Sequence, residues 1–224
     1  MGAANRGSLL ARFAKGHRST NDGKTRVVFA AMIATGAMAL CAAVALADII
    51  DCAGDGPRCE GTSNADNITG TNNHDEIFAK GGADDVFGGD GPDTYHGDGG
   101  ADFFNETTSP GTGKDTMFGD GGNDTIGGGV EGDDIHGGEG DDGPMFGDEG
   151  GDTINGDDGA DSMQGEEGDD TLRGGRGSDE IDAANDESTN GKDEVDCGPG
   201  NNDTATVDPN DDVRRCDGNV TVVP

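Results

Sequence analysis

Tryptophan is absent from this sequence, tyrosine occurs once, and aromatic residues make up 4% of its 224 positions. A chain so poor in large apolar groups cannot bury enough surface to offset the entropy of ordering itself, which excludes a conventional globular core. Basic residues are scarce as well. Beyond residue 47 there are eight of them against 46 acids, a net charge near −38. That sign excludes nucleic acid and anionic membrane surfaces as partners and invites cations. Long apolar runs are missing except at one place. Val27–Ala47 carries no charge, follows a segment with Arg6, Arg12, Lys15, Arg18, Lys24 and Arg26 against the single acid Asp22, and closes on Ala45-Leu46-Ala47. A basic stretch, an apolar stretch and a small-x-small end read as a secretory signal peptide over residues 1–47, with an uncleaved membrane anchor as the alternative. Leu40 stands where a lipoprotein anchor at Cys41 would need a small residue. On either reading the acidic part lies outside the cytoplasm.

Five cysteines are present, and Cys41 falls within the signal segment. The other four allow three connectivities. They form two local groups, Cys52 with Cys59 and Cys197 with Cys216. These flank the central region, so a disulfide cap at each end is expected. The clustered C-x-x-C spacing of a zinc site does not occur.

What is abundant is glycine, 44 residues of it, and it is periodic. Aligned on Gly88-Gly89-Asp90-Gly91-Pro92-Asp93-Thr94-Tyr95-His96, the next nine residues repeat the pattern, and the frame recurs at Gly119, Gly128, Gly137, Gly147, Gly156, Gly165 and Gly174. Upstream it fades through Ala79, Gly70 and Gly61. The sixth position of each unit is an aspartate: Asp66, Asp75, Asp84, Asp93, Asp102, Asp115, Asp124, Asp133, Asp142, Asp152, Asp161, Asp170 and Asp179. The eighth is apolar, as in Ile68, Ile77, Val86, Tyr95, Phe104, Met117, Ile126, Ile135, Met163, Leu172 and Ile181. Chance composition would scatter the aspartates and would not hold large apolar groups to one phase. Two interruptions are expected: four residues inserted at Glu106–Ser109, and one extra residue that moves the apolar position to Met145. After Asp182 the glycines lapse, and Asp193 and Val195 restart a weaker version.

The period resembles G-G-x-G-x-D-x-U-x, the RTX or hemolysin-type calcium-binding nonapeptide repeat. The resemblance covers about residues 61–182. The tail from Asp193 to Asp203, with Cys197-Gly198-Pro199-Gly200, looks like the cysteine-containing C-terminal cap of actinobacterial members. A departure is the signal-like N-terminus, since toxin-type members leave the cell without one; this weakens any inference to a toxin. The resemblance implies an all-β fold, a parallel β-roll: a right-handed solenoid in which six residues turn, three form a strand, and Ca²⁺ lies between turns. The expected division is a signal peptide over 1–47, an N-terminal cap over 48–60, the roll over 61–182 and a C-terminal cap over 183–224.

In such a roll, glycines at the first, second and fourth positions are expected to supply backbone conformations with φ > 0. Residues eighteen apart become neighbours about 4.8 Å away, so Asp75 lies over Asp93 and Asp84 over Asp102. Two carboxylates at that distance repel by roughly 1–3 kcal/mol at effective dielectrics of 80 to 20. A divalent ion between them reverses the sign. Calcium suits the array because it accepts six to eight hard oxygens in flexible geometry, whereas magnesium demands a tight octahedron and zinc prefers nitrogen and sulfur. The expected calcium ligands are Asp84, Asp93, Asp102, Asp115, Asp124, Asp133, Asp142, Asp152, Asp161, Asp170 and Asp179. The bland reading makes these aspartates solvated turn formers, which explains their company with glycine but not their fixed phase. At Asp66, Asp75, Asp193 and Asp203 the flanking glycines are substituted, and ligation and a plain turn role are balanced. Seventh-position acids such as Asp85, Asp134 and Glu180 are expected on outer faces.

No catalytic constellation is visible. His74, His96 and His136 sit in repeat positions without an H-E-x-x-H or G-x-S-x-G context. Asp208–Asp212 opens like an EF-hand loop but lacks its glycine and closing glutamate. The expected function is therefore extracellular calcium binding by a structural or interaction module, with a cell-surface or matrix component as the remaining class of partner. Two alternatives are an auxiliary module of a secreted hydrolase and an ice-binding roll. The second would need flat Thr and Asn arrays at positions seven and nine, where Asp134, Arg173, Glu180 and His96 intrude.

Overall fold

Three-residue strands are too short to stand alone, so each must find a partner one coil away. In the computed structural model, which describes residues 48–52, 58–106, 112–184 and 191–223, they do so in parallel. Residues 1–47, expected from the sequence to be a signal peptide, lie outside the described residues. Among these residues, one sheet has ten strands, from Asp48–Asp51 to Val220–Val222, and a second has nine, from Arg58–Glu60 to Asp212–Arg214. Apart from a separate two-stranded pair, Gly81–Gly82 with Gly99–Gly100, successive strands alternate between the two sheets, so each coil adds one strand to each. The chain is thus an all-β parallel roll.

Register follows the eighth position. In the first sheet Ile68 pairs with Val86, Val86 with Phe104, Phe104 with Ile126 and Ile126 with Met145. In the second, Ile77 pairs with Tyr95, Tyr95 with Met117, Met117 with Ile135 and Ile135 with Ile154. These side chains are 1% exposed or less and form one continuous core between the sheets. Each fully buried aliphatic or aromatic group contributes roughly 1.5–3 kcal/mol relative to exposure. The expected shift to Met145 is borne out, because Met145 aligns with both Ile126 and Met163.

The other expected interruption is placed differently. The Glu106 amide donates to the Gly127 carbonyl, and Thr112 bridges to Val130. Glu106 therefore occupies the first position of its coil, and the four extra residues are 107–110, which lie outside the described residues. A glutamate at the first position has no counterpart among the nonapeptides from Gly61 to Gly174, which is why the sequence pattern alone assigned it to the insertion.

Both ends carry the expected disulfides, Cys52–Cys59 and Cys197–Cys216. Cys52, Cys59 and Cys197 are fully buried and extend the core into each end coil.

The inward phase has a direct consequence. Ile135 is fully buried while its neighbour Asp134 points outward beside His136. Ile135→Asp is expected to abolish calcium-induced β structure, since an unpaired charge cannot be held in that core. Asp134→Ala should shift the calcium midpoint by no more than an exposed ion pair is worth, about 1 kcal/mol or less. Circular dichroism against calcium concentration measures both, and equal tolerance would invert the assigned phase.

Candidate metal centres

The turns between strands stack into two edges. On the edge where the chain passes from the first sheet to the second lie Asp75, Asp93, Asp115, Asp133, Asp152, Asp170 and Asp193. On the opposite edge lie Asp66, Asp84, Asp102, Asp124, Asp142, Asp161, Asp179 and Asp203. All are buried to 3% exposure or less despite their charge.

Within each edge the aspartates form a ladder. The backbone N–H of each donates to Oδ1 of the aspartate one coil further on. Asp75 donates to Asp93 at 2.7 Å, Asp93 to Asp115 at 2.7 Å and Asp115 to Asp133 at 2.7 Å. On the second edge Asp84 donates to Asp102 at 2.8 Å, Asp102 to Asp124 at 2.8 Å and Asp124 to Asp142 at 2.9 Å. Oδ1 is thereby committed to the protein. Oδ2 is different. In Asp84, Asp93, Asp102, Asp124, Asp133, Asp142, Asp152, Asp161, Asp179 and Asp203 it is sealed from solvent and receives no hydrogen bond. A buried anionic oxygen left without a donor is costly, and rows of them call for a cation.

The first-position glycines shape the space around these oxygens. A Cβ on Gly97, Gly119, Gly137, Gly147 or Gly156 would overlap Oδ2 of the aspartate five residues on and also the carbonyl oxygen of the first-position glycine in the next coil. Glycine is needed there for room. Positive φ belongs elsewhere, which corrects the sequence expectation for the first position. It occurs at the fourth, as at Gly100 (157°) and Gly177 (154°), and at the second, where Asp120 (66°) and Glu166 (67°) adopt it without being glycine. Each cradle thus offers backbone carbonyls and one unsatisfied carboxylate oxygen, all hard donors of the kind calcium takes. Among the described residues no three His, Cys, Asp or Glu side chains converge on one point. The nitrogen and sulfur ligands of a zinc centre are not gathered either. His96 and His136 stand on the outer face, stacked with Phe78 and Phe118 at ring separations of 4.7–5.1 Å, and Cys52, Cys59, Cys197 and Cys216 are all paired in disulfides.

Burial pushes the carboxyls well above their ordinary range, against the pull of the backbone N–H bond each accepts. It lifts Asp84 and Asp102 to about 6, Asp93, Asp115, Asp124, Asp152 and Asp161 to about 7, and Asp133 to about 8. Asp142 and Asp179 are raised for the same reason.

The balanced cases separate. Asp66 and Asp75 join their ladders, but their outer oxygens accept the Thr62 amide at 2.6 Å and the Thr71 amide at 2.7 Å, which makes them turn formers. Asp203 keeps an unpartnered Oδ2 and belongs with the candidates. Its unit, Cys197-Gly198-Pro199-Gly200-Asn201-Asn202-Asp203, is one residue longer than the repeat, and the retained Gly-x-Gly was the available signal. Two further aspartates were missed. Asp211 and Asp217 accept the amides of Asp193 and Asp203 at 3.1 Å each and end the two ladders. Asp208–Asp212, which opens like an EF-hand, is thus a ladder terminus.

No curated protein matches the chain. A family of repeats does, at residues 60–95, 69–104, 110–143 and 146–181, together just over half the sequence and all within the roll. Sealed aspartate oxygens, glycine cradles and matched repeats coincide along the same two edges, and the chain belongs to the RTX calcium-binding nonapeptide repeat family, whose repeats bind Ca²⁺ between turns.

Proposed function

We propose that the chain is an exported calcium roll in which Asp84, Asp93, Asp102, Asp124, Asp133, Asp142, Asp152, Asp161, Asp179 and Asp203 supply carboxylate ligands. Asp115 and Asp170 enter the same set by register. The observation that carries this reading is the repeated sealed Oδ2, an anionic oxygen with space beside it and no donor in the protein. Calcium, when bound, supplies charge neutralisation and ties adjacent coils together. The chain's own residues do the rest: Oδ1 fixes each carboxylate, glycine keeps the cradle open, and carbonyls complete the shell.

Such repeats are structural and generally non-catalytic, so the roll acts as a binding and interaction module. Export is supported by the basic and apolar segment over 1–47 and by two disulfides, which persist in oxidising compartments. Calcium sites of extracellular modules have dissociation constants of about 10⁻⁴–10⁻³ M, so the roll orders outside the cell. Its outer faces then meet a cell-surface or matrix partner. Titrating the full chain with CaCl₂, MgCl₂ and EGTA under circular dichroism tests the reading. Calcium should raise the β signal with a midpoint of about 0.1–1 mM, and magnesium at equal concentration should leave it largely unchanged. An equal response to magnesium would overturn the assignment.

A further inference from the structure

The two edges are not equivalent. Along the second, the first-position residues from Gly97 to Gly174 are all glycine, and each lies against the first-position carbonyl of the next coil. Along the first edge the same column runs from Gly70 to Gly88 and from Gly128 to Gly165, but Glu106 stands between. Its side chain turns inward and is 3% exposed. Oε1 accepts the hydroxyl of Tyr95, the single tyrosine of the sequence, at 2.5 Å and the amide of Gly88 at 2.6 Å. At Gly70 and Gly97 the corresponding amide donates to a ninth-position carbonyl one coil on, Phe87 and Phe118 respectively. A Cβ on Gly88 would meet the Tyr95 hydroxyl first, not a carbonyl of the next coil. Protein atoms therefore fill the gap between Asp93 and Asp115 that is open elsewhere.

We propose that Glu106, held by Tyr95, is a built-in stop that removes one calcium position from the first edge and leaves the second edge as the longer uninterrupted row. This rests on the calcium reading above. An oxygen that already takes a hydroxyl and an amide has little left to offer a metal, in contrast to the unpartnered Oδ2 atoms of Asp102 and Asp124 on the second edge. The stop divides the first edge into two shorter rows. Neighbouring coils stabilise one another, so the second edge should fill as the more cooperative unit.

The sequence supplies its own repair. Deleting residues 107–110 together with Glu106→Gly places a glycine ahead of Gly111-Thr112-Gly113-Lys114-Asp115, which restores the full G-G-x-G-x-D pattern. Native mass spectrometry of the full chain at saturating CaCl₂ counts the bound ions. The repaired variant is expected to carry at least one more Ca²⁺ than wild type, and Glu106→Gln, which keeps the shape, should carry the same number as wild type. The proposal fails if the repaired chain gains no ion. It also fails if Glu106→Gln loses one, because Glu106 would then be a ligand. Should the repaired chain show no calcium-induced β spectrum, the Glu106→Gln count decides alone. A wild-type chain that takes up no calcium sinks the calcium reading itself, a result distinct from either of these.

Discussion

In EGTA at pH 8 the chain is expected to expand from a radius of gyration of about 17 Å to one of about 50 Å, and calcium should reverse this in one cooperative step. The reason is the ladder. With ions removed, each buried carboxylate faces its neighbour one coil away with a repulsion of roughly 1–3 kcal/mol, repeated along both edges. The opposing gain is a core one side chain wide per strand, and outside it the composition is that of a disordered polyanion. Small-angle scattering measures the change. Asp124 and Asp142 offer the sharper test, because they are adjacent rungs with unpartnered Oδ2 atoms on the second edge. Asp124→Asn/Asp142→Asn keeps an Oδ1 acceptor for each rung and removes two charges from one cradle. The calcium midpoint should rise by about tenfold, equivalent to about 1.4 kcal/mol. Compactness in EGTA, or an unchanged midpoint in the double variant, would refute the coupling of folding to ligation.

Much of this architecture was legible in the sequence because strand pairing imposes one period on two kinds of residue at once. Ile126, Ile135 and Met145 could be phased inward and Asp124 and Asp142 stacked before any coordinates, since a one-residue slip would move every apolar side chain off the core face. The disulfides were legible from their position outside the repeats. Features that depend on side-chain geometry were not. Nothing in the spacing says that Oδ1 goes to a neighbouring amide and leaves Oδ2 for a ligand. Nor does it say that Asp120 and Glu166 take a left-handed conformation where glycine is the expected residue. Asp211 and Asp217 escaped, and Asp203 stayed balanced, because their turns depart from nine residues while their carboxylates still reach the rung below. Glu106 escaped for the opposite reason: it keeps the frame and breaks the residue type.

Acid should act on the calcium-free and calcium-bound chains in opposite directions. Burial raises the folded-state values of Asp84 and Asp102 to about 6, of Asp93, Asp124 and Asp161 to about 7 and of Asp133 to about 8, against about 3.9 for an unfolded aspartate. A group with a raised folded value binds its proton more tightly in the roll than in the open chain. The stability this contributes is fully present below about pH 4 and is lost as pH rises through the folded values, here between about 6 and 8. Protons can thus stand in for calcium by neutralising the sealed oxygens. In EGTA, lowering the pH from 8 to 5 is expected to restore a large part of the β signal, with a midpoint near 6–7. In calcium the same protons compete with the metal for Oδ2, so the calcium midpoint should rise as pH falls from 8 to 6. Circular dichroism in EGTA and calcium titrations at pH 6, 7 and 8 measure the two limbs. If the EGTA-treated chain stays unfolded down to pH 5, the aspartates are not sealed in the way their hydrogen bonds and burial require.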